Sequence, residues 1–70
     1  MKEQVQEILT AQGFDDLFEV KRGEVFFQTY RAARAVAIKL NRSFTETEDV
    51  INGNKFTFVV MTAKESDKFL

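Results

Sequence analysis

The sequence predicts a small single α+β domain: elements in the order αββαββ, with a four-stranded, mostly antiparallel sheet packed by two helices. Three observations predict it. Residues 2–12 and 30–42 place apolar side chains at helical spacing. Residues 16–28 and 44–62 alternate apolar and polar side chains over much of their length, as half-buried strands do. A glycine-containing turn interrupts each alternating stretch, Arg22-Gly23 in one and Asn52-Gly53-Asn54 in the other. Pairs of strands following single helices, rather than strict strand–helix alternation, point to an antiparallel α+β sheet.

The first helix is written in KEQVQEILTAQGF. Val5, Ile8 and Leu9 fall on one face, with Lys2, Glu3, Gln6, Glu7 and Thr10 elsewhere. Gly13 supplies the left-handed residue that ends a helix, and Phe14 can then fold back onto Leu9. In DDLFEVKRGEVFFQ, Phe18 and Val20 alternate with Glu19 and Lys21, and Val25 and Phe27 with Glu24 and Phe26. A two-residue turn at Arg22-Gly23 pairs Val20 with Val25, Phe18 with Phe27, and Lys21 with Glu24.

Thr29 can cap a second helix from Tyr30 to about Arg42, closed by Asn41 or Ser43. Its buried stripe is Ala33, Val36, Ala37 and Leu40, and the alanines allow close approach to a sheet. Residues 55–61, KFTFVVM, are the clearest strand, with Phe56, Phe58 and Val60 on one side and Thr57, Val59 and Met61 on the other. Phe44 to Ile51 is a weaker strand, because Glu46, Glu48 and Asp49 are poor strand formers. Residues 63–70 read as a frayed tail or a single helical turn, and Phe69-Leu70 as closing the domain or fraying rather than docking.

One sheet face takes the second helix. By alternation the other carries Phe26, Val59 and Met61. Either the first helix covers that face or another chain does, which makes it a possible homodimer face.

Composition excludes much chemistry. Seventy residues make one domain, and a chain this short buries only about 60% of its unfolded surface. There is no cysteine and no histidine. Disulfides, the usual zinc ligands, cysteine nucleophiles and histidine-assisted serine nucleophiles are therefore absent. The three glycines, at 13, 23 and 53, are too far apart for a phosphate-cradling loop. EDVINGN lacks the ligand spacing of a calcium loop.

Glu46, Glu48 and Asp49 could in principle hold Mg²⁺ or supply an acid–base pair. They read more simply as a solvated acidic loop or edge strand that discourages edge-to-edge pairing. The chain thus reads as a non-enzyme with no cofactor. No apolar run approaches the roughly 20 residues of a membrane span. MKEQVQEIL is too acidic and polar for a signal peptide. Together these point to a cytoplasmic protein with no membrane partner.

Charge is unevenly spread. Residues 1–20 hold one lysine against five acids, residues 21–42 six cations against Glu24 alone, and residues 43–70 three lysines against five acids. A basic centre therefore lies between two acidic ends in a chain of net charge −1. Within TYRAARAVAIKLNR, Arg31, Arg34, Lys39 and Arg42 share the arc opposite the buried stripe, with Ile38 among them. A solvated outer face usually mixes signs, and this one has no acid. Arginine also suits forked contacts with carboxylate or phosphate.

The basic face therefore predicts a partner, first an acidic surface on another protein, second nucleic acid. Net acidity ranks nucleic acid second. Lys21 and Arg22 at the first hairpin tip read as a charged turn that could extend the patch. Tyr30 reads as half-core rather than as a stacking platform. In size and economy the chain resembles the small accessory proteins that phages and mobile elements encode to bind and inhibit a host machine. That resemblance touches no particular residue. The reading is a small protein-binding module or inhibitor, with a nucleic-acid-binding regulator and a dimerising assembly subunit as alternatives.

Overall fold

The computed structural model describes residues 1–61; Thr62 and the tail at 63–70 lie outside the described residues. The chain runs α1 (Lys2–Ala11), β1 (Phe18–Lys21), β2 (Glu24–Phe27), α2 (Tyr30–Leu40), β3 (Phe44–Ile51) and β4 (Asn54–Met61). The four strands form one antiparallel sheet in the order β1-β2-β4-β3. The α+β class and the αββαββ order are thus as the sequence predicts. Among the described residues, no helix is long and apolar enough to cross a membrane.

Local chemistry sets the boundaries. Gly13 takes φ 78°, and the Phe14 N–H donates to the Leu9 carbonyl at 2.9 Å, which closes α1 and returns Phe14 to the core. Asn41 ends α2 in the same way at φ 58°, with the Arg42 N–H donating to the Ala37 carbonyl at 2.8 Å. In the turn of the first hairpin, Arg22 and Gly23 both have positive φ (53° and 80°), and Asn52 and Gly53 repeat the pattern between β3 and β4. Two positive-φ residues give the turn whose twist matches that of paired strands. The β1–β2 register is the predicted one. β3 is a full eight-residue strand despite its acids. It lies at the sheet edge, where Glu46 and Glu48 are exposed to solvent.

Both helices pack on the same sheet face. Val5, Ile8 and Leu9 of α1 share one buried cluster with Ala32, Ala33, Val36 and Ala37 of α2 and with Phe18, Val25, Phe27 and Val60 of the sheet. The three buried alanines, Ala32, Ala33 and Ala37, let α2 lie close to the strands. Leu40 is only partly buried at the margin of this cluster.

The second sheet face is not covered by α1, which packs on the first. It is covered by the chain's own β3–β4 hairpin. The pairing of β3 with β4 shifts register between Glu46 and Asp49. Such a bulge bends a strand and increases its twist. The distal half of the hairpin then curls back, and the Asn52 side chain in its turn donates to Glu19 of β1 at 3.3 Å, from one sheet edge to the other. Phe56 is thereby carried to the second face, where its ring lies 6.4 Å from that of Phe26. Phe26, Phe56 and Val59, with Ile51 packed against them, form a second buried cluster. Strict alternation places Phe56 with Phe58 and Val60; with the hairpin end curled toward β1, it joins Phe26 and Val59 instead.

Candidate partner-binding face

The exposed side of α2 is positioned from its first residue. The Thr29 hydroxyl accepts from the Ala32 N–H at 3.3 Å, capping the helix, and donates to Asp16 Oδ2 at 2.6 Å. Arg31 Nη2 donates to Asp16 Oδ1 at 3.2 Å, and the Arg31 guanidinium lies 4.6 Å above the centre of the Phe14 ring. Only 5% of the Asp16 side chain is exposed. The Thr29 hydrogen bond, aided by Arg31, holds its carboxyl below the ordinary aspartate value despite burial, which acts the other way. A single carboxylate thus fixes the helix cap, the loop after α1 and the direction of Arg31.

Beyond that first turn the cations are differently placed. Arg34, Ile38 and Lys39 are exposed, Ile38 at 61%. Among the described residues no carboxylate pairs with Arg34 or Lys39; the ion pairs there are Arg31–Asp16 and an exposed Lys55–Glu48 contact at 4.0 Å. Arg34, Ala35, Ile38 and Lys39 line an open furrow of about 500 Å³, whose near end is walled by Gln12 and Phe14. On the helix surface, at about 100° per residue, Ile38 and Ala35 lie between Arg34 on one flank and Lys39 on the other. The result is an apolar strip with a cation on each side.

The predicted basic residues therefore divide. Arg34, Ile38 and Lys39 form the face. Arg31 belongs to it but is drawn toward Asp16 and Phe14. Arg42 does not lie on it, because Asn41 turns the chain before Arg42 and leaves that residue half-buried beyond the helix. Lys21 and Arg22 are exposed at the first hairpin tip. That tip lies at the end of the sheet where α2 finishes, since Lys21 pairs with Glu24, Glu24 with Met61, and the Met61 N–H donates to the Ser43 carbonyl at 3.1 Å.

Tyr30 departs from its expected half-buried role. It is 57% exposed, braced edge-on against Phe44 and Phe58 at centroid distances of 5.5 and 5.9 Å. The possible dimer face also changes character. Phe26 and Val59 are buried within the single chain, and only Met61 of the three retains partial exposure. The curled hairpin packs Phe56 and Ile51 against Phe26 and Val59 on that face.

The acidic cluster is dispersed in the same way. The Thr47 hydroxyl donates to Asp49, Glu48 faces Lys55, and among the described residues no three acidic groups converge as for a metal ion. Asp16 and Phe14 were not legible as parts of the α2 face. Their partners lie 13 or more residues away, and no local pattern marks that pairing. No protein-family model matches the chain, and comparison with curated proteins and with solved structures finds no match.

Proposed function

We propose that this chain is a non-enzymatic protein-binding module or inhibitor, and that the exposed side of α2 seats on an acidic surface of its partner. The observation that carries the reading is the apolar strip of Ala35 and Ile38 between Arg34 and Lys39. These cations have no carboxylate partner among the described residues. An apolar centre within a charged rim is the usual build of a protein interface, and arginine is enriched there. Exposed cations also steer an acidic partner toward the face before contact.

The test is capture of partners on the immobilised chain, wild type beside Arg34→Glu/Lys39→Glu. Both positions are exposed, so the double variant should keep its fold. Arg31 is left intact because it holds Asp16 and Phe14. The expected result is an acidic protein retained by the wild type and lost from the variant. An identical retained set on both would remove the face from the reading.

A second reading, single-stranded nucleic-acid binding, is favoured by Tyr30, an exposed and braced ring one turn from Arg34. Bases stack on such rings beside cations. It predicts binding that weakens steeply with salt, by a log–log slope of roughly −0.7 per phosphate neutralised on a single strand. Binding unaffected by Tyr30→Ala would count against it.

A further inference from the structure

Resting on the protein-binding reading above, we infer that the segment received by the α2 furrow is an acidic amphipathic helix, with its apolar stripe laid along Ala35 and Ile38 and its carboxylates flanking that stripe on both sides.

The backbone excludes the main competing mode. An extended peptide that adds to a sheet needs unpaired strand edges. The edges here are β1 and β3, and the furrow lies on neither. Along Arg34 to Lys39 α2 offers no substitute, because the backbone groups there are engaged by the helix itself and by the turn at Asn41. Recognition at the furrow is therefore by side chains alone.

The furrow's cross-section then selects the shape. Cations stand on both flanks of an apolar floor. An extended chain alternates its side chains to opposite sides, so a strand with its apolar side chains down turns its acids away. A helix presents an apolar stripe with charged positions along both margins of the same face. From Arg31 to Lys39 the face runs about 12 Å, so a partner helix of two to three turns spans it. Arg31, held over Phe14, closes one end and leaves room for the partner's first or last turn rather than for a continuous rod.

The charge pattern supports an acidic rather than a neutral helix. Residues 21–42 carry six of the ten lysines and arginines against one acid, and α2 has no acid in its first turn to repel or compete with incoming carboxylates.

The experiment uses the full chain and two labelled synthetic peptides of about 18 residues with the same glutamate, alanine and leucine content. In one, the leucines form a single helical stripe flanked by glutamates. In the other, the order is permuted so that the leucines are dispersed around the helix. Fluorescence anisotropy is read at about 0.15 M salt, where screening acts beyond about 8 Å. A third probe is a single-stranded oligodeoxythymidylate.

The expected result is that the striped peptide binds at least about tenfold more tightly than the permuted one. Ile38→Asp should remove that preference while leaving the circular dichroism spectrum unchanged. Equal binding of both peptides, lost in Arg34→Glu/Lys39→Glu, would overturn the helix and leave the acidic partner standing. Binding of neither peptide would overturn both, and binding of the oligonucleotide alone would move the face to nucleic acid.

Discussion

Asp16 and Thr29 join two parts of the chain that lie 13 residues apart. The Thr29 hydroxyl serves both as helix cap and as donor to a nearly buried carboxylate, so losing either partner leaves a polar group unsatisfied. Thr29→Ala should cost about 1–2 kcal/mol in urea unfolding at neutral pH. Asp16→Asn should also destabilise at neutral pH, with a distinct pH signature. The folded carboxyl titrates below the ordinary aspartate value, so its contribution is full above that value and is lost as pH falls through the lower folded one. The stability gap between wild type and Asp16→Asn should therefore narrow below about pH 4. A gap independent of pH would show that the carboxylate's charge contributes nothing. Arg22 offers the opposite sign of effect. It holds φ 53° in a turn that favours asparagine at that position. Arg22→Asn should stabilise by about 0.5–1 kcal/mol, read as a higher urea midpoint with unchanged slope.

At the scale of elements, the β3–β4 hairpin is the part whose behaviour departs from its sequence pattern. Gly13, the Thr29 cap, Arg22-Gly23 and Asn52-Gly53 all act within a few residues of themselves, so these roles were legible before the fold was seen, whereas the Thr29 bond to Asp16 was not. The alternation of KFTFVVM was legible too, but the bulge between Glu46 and Asp49 was not. A bulge depends on how two strands pair, and no single strand's pattern encodes it. With it, Phe56 and Phe26 bury one another, and the face predicted to need cover from α1 or another chain carries a second small core. Phe56→Ala should cost about 3–5 kcal/mol, a large part of the stability of a 70-residue domain, because its ring is fully buried. Phe26→Lys should unfold the chain, rather than release a folded monomer from an oligomer, because it places an unpaired charge in that core. A folded, monomeric Phe26→Lys chain derived from an oligomeric wild type would return the face to its role as an interface.

Across the described residues, the two helices share one sheet face and the curled hairpin buries Phe26 and Val59 on the other. What remains outward on α2 is a basic and partly apolar strip whose Arg34 and Lys39 pair with no carboxylate among the described residues. The basic centre was visible in the sequence as a count of charges. Its division into Arg31, which is engaged, Arg34 and Lys39, which flank the furrow, and Arg42, which lies beyond the helix, required the positions of Asp16 and Asn41. Charge reversal at Arg34 and Lys39 should change stability by no more than about 0.5 kcal/mol while removing binding, since exposed sites away from caps and cores contribute little to folding. Backbone amide chemical shifts of the isotope-labelled chain, titrated with a short oligoglutamate peptide, distinguish this face from every other cation on the surface. Shifts concentrated at Arg34, Ala35, Ile38 and Lys39, and lost on charge reversal of Arg34 and Lys39, are the predicted result. Shifts centred on Lys21 and Arg22 or on Lys55, or spread evenly over all cations, would contradict a dedicated α2 site.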